Sequence, residues 1–167
     1  MPEAIVVAGA NGAGKTTFAR ELLPALYPDI EFLNADEVRM EAPTFAHPVA
    51  AGRELLRRLA AKERDRHSFA IETTLSSTMY VRHMRLWRSA GYRIVLHFIE
   101  LPSEDYAVDR VARRVAAGGH DVPEADVRRR FHRGLRLFDE VYKALVDEWY
   151  HWYSDDGGLR IGHYQER

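Results

Sequence analysis

The residues with the clearest chemical signature form one short run near the start of the chain. The run matches the phosphate-loop pattern G-x-x-x-x-G-K-[ST] in full and reads Gly9-Ala10-Asn11-Gly12-Ala13-Gly14-Lys15-Thr16. In this pattern the backbone N–H groups surround phosphate oxygens, the lysine supplies positive charge to the β- and γ-phosphates, and the hydroxyl is a ligand of Mg²⁺. The run and the adjacent Thr17 therefore predict a nucleotide site, with ATP and Mg²⁺ as cofactors and with Thr16 as the metal ligand.

The residues on either side of this loop support the same interpretation. The apolar run from Ala4 to Ala8 is typical of a buried strand, and Phe18, Leu22 and Leu26 follow with helical spacing. A phosphate loop requires this order, because the following helix directs its positive N-terminal end at the phosphates. The alternative is a glycine-rich turn that binds nothing. The loop alone does not choose the reaction, since kinases, GTPases, ATPases and motor domains share it.

A candidate catalytic carboxylate, Asp36, follows the second predicted strand in the segment Asn34-Ala35-Asp36-Glu37-Val38-Arg39. In a parallel sheet the carboxyl ends of the strands line one crevice, and a phosphate loop lies at the same edge. A carboxylate at this place can accept the proton of an attacking hydroxyl or orient that hydroxyl. We therefore predict that Asp36 is catalytic and that Asp36 and Arg39 contact the acceptor. The alternative role for Asp36 is the N-cap of a short helix.

Three further polar residues end the third predicted strand at the same edge of the sheet. They are Glu72, Thr73 and Thr74. A glutamate at the end of a buried strand needs a partner. We expect that partner to be substrate hydroxyls or the water shell of Mg²⁺, and a salt bridge to an arginine is the alternative. The two threonines offer hydroxyls to substrate or phosphate, or they cap the strand end.

Basic residues are concentrated in a later segment, although the whole chain has a formal net charge of −1. Arginine forks stabilise the charge that phosphoryl transfer places on phosphate oxygens. The segment contains two predicted helices joined through Gly118-Gly119, so it could close over ATP as a lid of about residues 104–133. Its candidate nucleotide contacts include Arg110, Arg114 and Arg129. The alternatives are a solvated basic face and contacts to a nucleic-acid backbone.

The pattern of predicted elements defines the expected fold. Apolar strands and amphipathic helices alternate five times, which predicts a parallel sheet with helices on both faces. We expect one α/β domain over residues 1–167 with the P-loop NTPase architecture, which has three layers (α/β/α), a mainly parallel five-stranded sheet and the helical lid. A long helix is predicted over residues 124–147. Residues 150–153 and 159–162 are candidate final strands.

The composition excludes several classes of protein. The 167 residues include no cysteine, which excludes disulfides, cysteine zinc sites and thiol nucleophiles. No apolar run approaches the roughly 20 residues of a membrane span, and the start Met1-Pro2-Glu3 does not resemble a signal peptide. We therefore expect a cytoplasmic protein without a membrane partner. The near-neutral charge argues against nucleic acid as a partner.

Five segments together resemble the zeta-toxin family of P-loop kinases, and most closely its compact stand-alone branch, often described as predicted ABC-type ATPases. They follow one another in the family's order between about residues 4 and 147 and read GANGAGKTT, NADEVR, SFAIETTLSS, GYRIVLHFIEL and RVARRVAAGGHDVPEADVRRRF. The resemblance implies a small-molecule kinase fold with a five-stranded parallel sheet. It also implies the acceptor of the characterised toxins, a sugar hydroxyl of UDP-N-acetylglucosamine, and an antitoxin protein as a partner.

The resemblance further implies roles for individual residues. It makes Asp36 the catalytic base, Glu72 and Thr74 substrate-binding residues, and Arg110 the lid arginine near the ATP phosphates. His120 stands where the toxins carry a second lid arginine, and Thr73 stands where they often carry glycine. Because a histidine is a weaker and pH-dependent phosphate ligand, one of residues 128–130 could take its place.

The expected function is transfer of the ATP γ-phosphate to a hydroxyl of a small molecule, with Asp36, Lys15 and Arg110 as the catalytic set. Two other functions remain open at this point. One is an ATPase or switch module whose hydrolysis drives a partner. The other is a kinase that acts on the end of a nucleic acid, which the arginine-rich segment permits.

Overall fold

The central sheet of the computed structural model contains six strands, and the structure describes residues 1–45 and 47–166. The strands are β1 (Glu3–Gly9), β2 (Glu31–Leu33), β3 (Phe69–Thr73), β4 (Arg93–Glu100), β5 (Glu148–Asp155) and β6 (Gly158–Gln165). Their order across the sheet is β2-β3-β1-β4-β5-β6. The first five pair in parallel and β6 pairs antiparallel to β5. The mainly parallel sheet is confirmed, but the predicted count of five strands is wrong.

The additional strand is the second arm of a β-hairpin. Asp155 Oδ1 accepts a hydrogen bond from the N–H of Gly157 at 2.9 Å, and Gly158 has a φ of 100°, so this turn depends on glycine. All residues of β6 are exposed. The strand therefore lacks the alternation of buried and exposed positions that marks a strand in a sequence. The candidate final strands over residues 150–153 and 159–162 are nevertheless confirmed, because they lie within β5 and β6.

Seven α-helices cover the sheet within the described residues. They are α1 (Lys15–Glu21), α2 (Leu23–Leu26), α3 (Ala35–Glu41), α4 (Pro48–Asp65), α5 (Met79–Ser89), α6 (Glu104–Ala116) and α7 (Glu124–Leu137). Apolar side chains of β1 alternate between two core clusters, one on each face of the sheet. Val6 belongs to the cluster that includes residues of α4 and α5, and Val7 belongs to the cluster that includes residues of α1 and α6. This arrangement confirms the three-layer architecture.

The predicted helix over residues 124–147 is wrong in its second half. Regular α-helix ends at Leu137, a π-helical turn follows over Phe138–Tyr142, and a short 3₁₀ turn covers Lys143–Leu145. Phe138 and Tyr142 are fully buried, and the Tyr142 hydroxyl donates a hydrogen bond to the Ser77 carbonyl. Burial of these two large side chains on the sheet favours the wider turn, which no helical pattern in the sequence indicates.

Three strands bring the candidate site residues to one edge of the sheet. Ala8 of β1 is paired with Thr73 of β3, and Val7 is paired with Glu72. The strand β2 lies on the other side of β3, with Leu33 opposite Ile71. The carboxyl ends of β1, β2 and β3 are therefore neighbours, as the sequence predicts. Among the helices of residues 1–45 and 47–166, none is both long and apolar enough to cross a membrane.

Candidate active site

The phosphate loop connects the carboxyl end of β1 to α1 and packs tightly against its neighbours. Gly9 has a φ of 146°, and a Cβ at this position would lie 2.3 Å from the Ile99 carbonyl oxygen of β4. Gly12 has a φ of 81°, and a Cβ there would lie 3.0 Å from the backbone of α6. Larger residues are thus excluded at both positions. Lys15 Nζ donates a hydrogen bond to the Ala10 carbonyl at 3.0 Å, which holds the lysine across the loop.

A cavity of about 470 Å³ lies beside this loop and reaches the ends of β2 and β3; we call it the loop cavity. Most of the residues that the sequence predicts for the site line this cavity. These are Asn11, Gly12, Gly14, Lys15, Thr16, Thr17, Asp36, Glu72, Thr73, Thr74, Arg110, Arg114 and His120. Val122 and Arg130 complete the lining. Four separate parts of the chain, namely the loop, two strand ends and the segment of α6 and α7, therefore meet around one space.

Asp36 is in the first turn of α3 and its carboxylate is accessible. Asn34, not Asp36, is the N-cap: its Oδ1 accepts a hydrogen bond from the Asp36 N–H at 2.7 Å. The helix-cap alternative for Asp36 is therefore wrong. The Asp36 side chain is 64% exposed, and its nearest ion-pair contact is Arg39 at 3.6 Å. A carboxylate at this place can accept a proton from a group in the cavity.

Glu72 is hydrogen-bonded to the phosphate loop. Its Oε2 accepts a hydrogen bond from Thr16 Oγ1 at 2.8 Å, across 56 residues of sequence. The alternative for Glu72 was a salt bridge to an arginine. Glu72 forms no such ion pair with any residue that the structure describes. The contact places a carboxylate beside the hydroxyl that the sequence predicts as a Mg²⁺ ligand. Two hard oxygen donors thus lie side by side at the loop.

The two threonines after Glu72 have different surroundings. Thr73 Oγ1 accepts a hydrogen bond from the Leu75 N–H at 3.0 Å, so Thr73 caps the strand end. Thr74 Oγ1 is 2.8 Å from Ser76 Oγ, and both hydroxyls remain half-exposed. Thr73 therefore caps the strand end, which was the alternative role for it, and it also lines the loop cavity. Thr74 retains hydrogen-bonding capacity toward a ligand.

Arg110 and Arg114 of α6 face the phosphate loop as the sequence predicts. Arg110 Nη2 would be 3.7 Å from a Cβ on Gly14, and Arg110 Nη1 donates a hydrogen bond to Ser154 Oγ at 3.2 Å. Arg114 Nη2 donates to the His120 carbonyl at 2.8 Å. Both guanidiniums line the loop cavity. The backbone of His120 thus orients Arg114, and this contact does not depend on the imidazole.

The third arginine of the cavity is Arg130, whereas the predicted contact was Arg129. Arg130 Nη1 donates to Asn11 Oδ1 of the phosphate loop at 3.3 Å. Arg129 pairs with Asp126 at 2.8 Å, is 63% exposed and lies outside the lining of the loop cavity. Adjacent helical residues point about 100° apart. Arg130 shares the face of the buried Val127, three residues earlier, and that spacing is the signal that distinguishes it from Arg129.

Arg128, which belongs to the same basic run, has a structural role. It pairs with Glu124 at 2.7 Å on its own helix and with Asp105 at 2.6 Å on α6. The contacts link the two helices of the predicted lid to each other. Whether this pair of helices moves over a nucleotide stays a prediction.

Four other predicted residues do not line the loop cavity. Gly9 and Ala10 lie behind the loop, where Gly9 contacts β4 and Ala10 accepts the lysine hydrogen bond. Ala13 lines a neighbouring cavity. Arg39 is one helical turn beyond Asp36 and contacts its carboxylate at 3.6 Å, so it reaches the site through Asp36.

The ionised groups around Lys15 influence one another. Burial lowers the pKa of the Lys15 ammonium below its usual value, the Glu72 carboxylate opposes this shift, and Arg114 and Arg130 add to it. Three cations close to one another and to the loop repel each other until an anion lies between them. The arrangement therefore favours binding of a group with several negative charges.

A second cavity of about 440 Å³ lies on the other side of the phosphate loop. Its lining is more apolar than that of the loop cavity, and we call it the hairpin cavity because β5 and β6 contribute to it. It is lined by Ala13, Gly14, Thr17, Phe18, Glu21, Leu22, Leu26, Arg110, Trp152, Ser154 and Leu159. Arg110, Gly14 and Thr17 line both cavities. The sequence did not indicate a functional role for the residues of the hairpin.

A buried histidine fixes the orientation of the tryptophan in the hairpin cavity. Trp152 Nε1 donates a hydrogen bond to His97 Nδ1 at 3.2 Å, and His97 Nε2 is 3.1 Å from the Tyr27 hydroxyl. Burial lowers the pKa of His97 to about 3, so its imidazole remains neutral and can accept the indole hydrogen. His97 is therefore packed in the core, and Trp152 presents its ring to the cavity.

Known proteins resemble this chain in sequence and in fold. The AAA domain family matches residues 5–133 of the chain. A protein from Haemophilus influenzae is 26% identical over 130 residues, which are 77% of this chain and 92% of that protein.

Two solved structures share the fold. A chain from the PezAT chromosomal toxin-antitoxin system of Streptococcus pneumoniae has a TM-score of 0.70 and 17% identity, covering 98% of this chain and 72% of its own. A chain of the AvrRxo1-ORF1:-ORF2 complex with ATP has a TM-score of 0.70 and 16% identity over 99% of this chain. The present chain spans only 59% of that second chain.

The family match covers the phosphate loop, both strand ends and the predicted lid, so it includes each part of the loop cavity. The likeness to a toxin-antitoxin protein agrees with the resemblance to zeta toxins at the level of the fold. The chain belongs to the AAA domain family and has a P-loop kinase-like fold of the zeta-toxin type.

Proposed function

We propose that the protein is an ATP-dependent kinase that transfers the γ-phosphate of ATP to a hydroxyl group of a small molecule. One observation carries the proposal. The loop cavity joins a complete phosphate loop to a solvent-accessible aspartate and to the polar end of β3. A nucleotide hydrolase needs the phosphate loop. A kinase also needs a site for the acceptor and a base that receives its proton.

The nucleotide side of the proposed site neutralises phosphate charge. Lys15 would contact the β- and γ-phosphates, and the backbone N–H groups of the loop would surround them. Arg110, Arg114 and Arg130 supply further guanidinium groups around the same space. Because phosphoryl transfer depends mainly on positioning and charge stabilisation, these groups would provide most of the rate enhancement.

The acceptor side of the proposed site supplies the base. Asp36 would accept the proton of the attacking hydroxyl as the O–P bond forms and the bond from the γ-phosphorus to the bridging oxygen of ADP breaks. Thr74 and Glu72 would hold the acceptor through hydrogen bonds. The accessible carboxylate of Asp36 and its place beside Arg39 support this role.

The donor set at the loop fits Mg²⁺. Thr16 Oγ1 and the Glu72 carboxylate are 2.8 Å apart, and Mg²⁺ prefers such oxygen ligands together with waters and nucleotide phosphates. The described residues contain no group of three or more His, Asp and Glu side chains that could hold a metal alone. Thr16 would therefore hold the ion together with ATP, with Glu72 in contact with it directly or through water. The ion would supply positive charge that stabilises the phosphates during transfer.

The hairpin cavity would hold the nucleobase of ATP. It adjoins the loop through Gly14 and Thr17, and it presents apolar surface from Trp152 and Leu159 together with the polar side chains of Glu21 and Ser154. A flat apolar ring with polar edges suits such a lining. The AvrRxo1-ORF1:-ORF2 complex, which shares the fold, was solved with ATP.

For the acceptor we propose a sugar nucleotide of the UDP-N-acetylglucosamine type. Support comes from the resemblance to zeta toxins and from the toxin-antitoxin system that shares the fold. The same likeness supports an antitoxin protein as a partner. We further propose that the reaction takes place in the cytoplasm, where ATP and sugar nucleotides are available.

The test is the dependence of ATP consumption on an acceptor. Purified protein is incubated with ATP and Mg²⁺, alone and with UDP-N-acetylglucosamine, unphosphorylated sugars or a short oligonucleotide, and formation of ADP is measured. The proposal predicts ADP formation that rises with a small-molecule acceptor. Equal turnover without any acceptor would instead indicate an ATPase, and turnover only with the oligonucleotide would indicate a nucleic-acid-end kinase.

A further inference from the structure

A third cavity of about 470 Å³ lies between α7 and the loop that follows β3 and is open to solvent; we call it the basic cavity. Its lining consists of hydroxyl groups and guanidinium groups, from Thr74, Ser76, Ser77, Arg129, Arg130 and Arg133. Thr74 and Arg130 also line the loop cavity, so the two cavities adjoin. Apart from these two residues, no residue of the basic cavity has a role in the function proposed above.

The wall formed by the loop after β3 has a strained backbone. Leu75 has a φ of 54°, which is uncommon for a residue other than glycine, and its side chain is fully buried. This conformation buries Leu75 while Thr74 and Ser76 on either side remain accessible, with their hydroxyl oxygens 2.8 Å apart. The strained backbone at Leu75 thus lies between two hydroxyl groups, those of Thr74 and Ser76, that line the basic cavity.

The opposite wall is held close to this loop. A Cβ at Gly134 of α7 would lie 2.7 Å from the Thr74 carbonyl oxygen, so only glycine allows the helix this near. The close approach brings the face of α7 with Arg130 and Arg133 against the hydroxyls of the loop. The cavity is therefore formed by two elements that are packed against each other, and not by surface side chains alone.

The basic cavity has an excess of positive charge. Of its three arginines, Arg129 and Arg130 share one carboxylate, that of Asp126, at 2.8 Å and 3.7 Å. Arg133 forms no ion pair or hydrogen bond with any residue that the structure describes. Three guanidiniums with one carboxylate leave two positive charges uncompensated. Guanidinium forks and hydroxyl donors together are the groups that bind phosphate in proteins.

We propose that the basic cavity is a second phosphate subsite, separate from the phosphate loop, that binds a phosphate group of the acceptor. The proposal rests on the kinase function proposed above. A phosphate held by Arg129, Arg130 and Arg133 would leave the rest of the acceptor to extend past Thr74 into the loop cavity, where its hydroxyl would meet Asp36. The substrate class is then a phosphorylated alcohol, and an unphosphorylated sugar would be a poor acceptor.

The experiment measures binding to the basic cavity independently of turnover. The phosphate loop is first saturated with Mg²⁺ and a non-hydrolysable ATP analogue, so that added phosphate cannot bind there. Inorganic phosphate, a hexose 6-phosphate and the unphosphorylated hexose are then titrated, and the arginine Nε–Hε signals are followed by NMR. We expect the two phosphates to shift the Arg133 signal and the hexose to have no effect.

The matched variants are Arg133→Gln and Arg136→Gln. Both arginines are exposed on α7, but Arg136 lies outside the lining of the basic cavity. Arg133→Gln removes a charged hydrogen bond and should weaken binding of the hexose 6-phosphate roughly 10- to 100-fold. Arg136→Gln should leave it within about twofold, the scale of a surface change without contacts.

Three results would overturn the proposal: no binding of either phosphate, equal weakening by both variants, or binding of a short oligoribonucleotide that is tighter than that of the hexose 6-phosphate and depends on Arg133. The kinase proposal fails separately. Its failure would appear as ADP formation that no acceptor stimulates, while the NMR titration would still decide whether the basic cavity binds phosphate.

Discussion

The core of the nucleotide side is the phosphate loop, eight consecutive residues from Gly9 to Thr16 at the end of the central strand β1. The acceptor side is instead assembled from separate segments. Asp36 follows the edge strand β2, which has only three residues, and Glu72 and Thr74 lie at the end of β3. The first side depends on the local path of the backbone, and the second depends on tertiary packing.

This difference has a consequence for function. Backbone N–H groups and a buried lysine recognise phosphates whatever nucleotide or acceptor is present, so the nucleotide side defines a general chemistry. Side chains on separate elements can change one at a time while the sheet is maintained. The acceptor side is therefore where proteins with this fold can differ in substrate. Substitutions on the two sides should accordingly have separable effects on ATP binding and on transfer.

Among the variants, Asp36→Asn should separate the effect on phosphoryl transfer from the effect on ATP binding most clearly. The change keeps the shape of the side chain but removes the proton acceptor, so transfer should fall by roughly 10²- to 10⁴-fold while the dissociation constant of ATP stays the same. Stopped assays of product formation and a fluorescent nucleotide titration measure the two quantities.

Glu37→Gln is the matched control for that variant. Glu37 is the next residue of α3, and its carboxylate pairs with Arg20 at 3.0 Å, away from the loop cavity. This control should keep near-normal transfer. Near-normal transfer by Asp36→Asn as well would remove Asp36 from the catalytic set.

Lys15→Ala should impair ATP binding itself, which Asp36→Asn leaves unchanged. Loss of the ammonium leaves phosphate charge uncompensated at the loop, so ATP binding should weaken strongly and turnover should fall by roughly 10²- to 10³-fold. Lys62→Ala, which removes a lysine paired with Glu31, is the control and should bind ATP normally. Calorimetric titration with ATP distinguishes the two. Unchanged turnover in Lys15→Ala would refute the assignment of the phosphate loop.

Glu72→Gln tests the contact at which the two sides meet. The amide can still accept the hydrogen bond of Thr16, but it is a poorer partner for Mg²⁺ and its waters. We expect turnover to fall roughly 10- to 100-fold and the Mg²⁺ concentration for half-maximal activity to rise. A fall in activity with an unchanged Mg²⁺ requirement would mean that Glu72 acts on the acceptor alone.

The smallest effect on ATP binding is expected from a substitution in the hairpin cavity. Leu159 is 37% exposed, so Leu159→Ala should remove about 1 kcal/mol of apolar contact with the base and weaken ATP binding roughly fivefold. Ile161→Ala on the same strand is the control, because Ile161 is more exposed and lies outside the cavity lining. Equal ATP affinity in the two variants would argue against a nucleobase in this cavity.

For the same structural reason, the sequence predicts the phosphate loop and the strand ends better than the side chains that the helices contribute. The phosphate loop is a contiguous pattern with required flanks, and the topology rule for parallel strands brings Asp36 and Glu72 to it without further information. The rule does not determine which side of a helix faces the cavity. Arg129 was therefore predicted in place of Arg130, although the apolar spacing from Val127 contains the information.

The C-terminal part of the chain was the least predictable. The strand β6 is exposed along its whole length, so only its central part, residues 159–162, is predicted as a candidate strand. The π-helical turn after α7 follows from how Phe138 and Tyr142 pack on the sheet, which depends on residues distant in the sequence. The hairpin cavity is lined by residues of β5 and β6 together with residues of the phosphate loop, α1 and α6, and so its residues could not be recognised before the fold was known.

The most direct test of the central claim follows the transferred phosphate itself. Wild-type protein and Asp36→Asn are incubated with γ-labelled ATP, Mg²⁺ and a panel of hydroxyl-bearing metabolites, and mass spectrometry locates the label. The account predicts that the wild type places the label in a new phosphate ester of one small molecule and that the variant forms far less of it. Label found only in inorganic phosphate, at the same rate with and without the panel, would contradict the account.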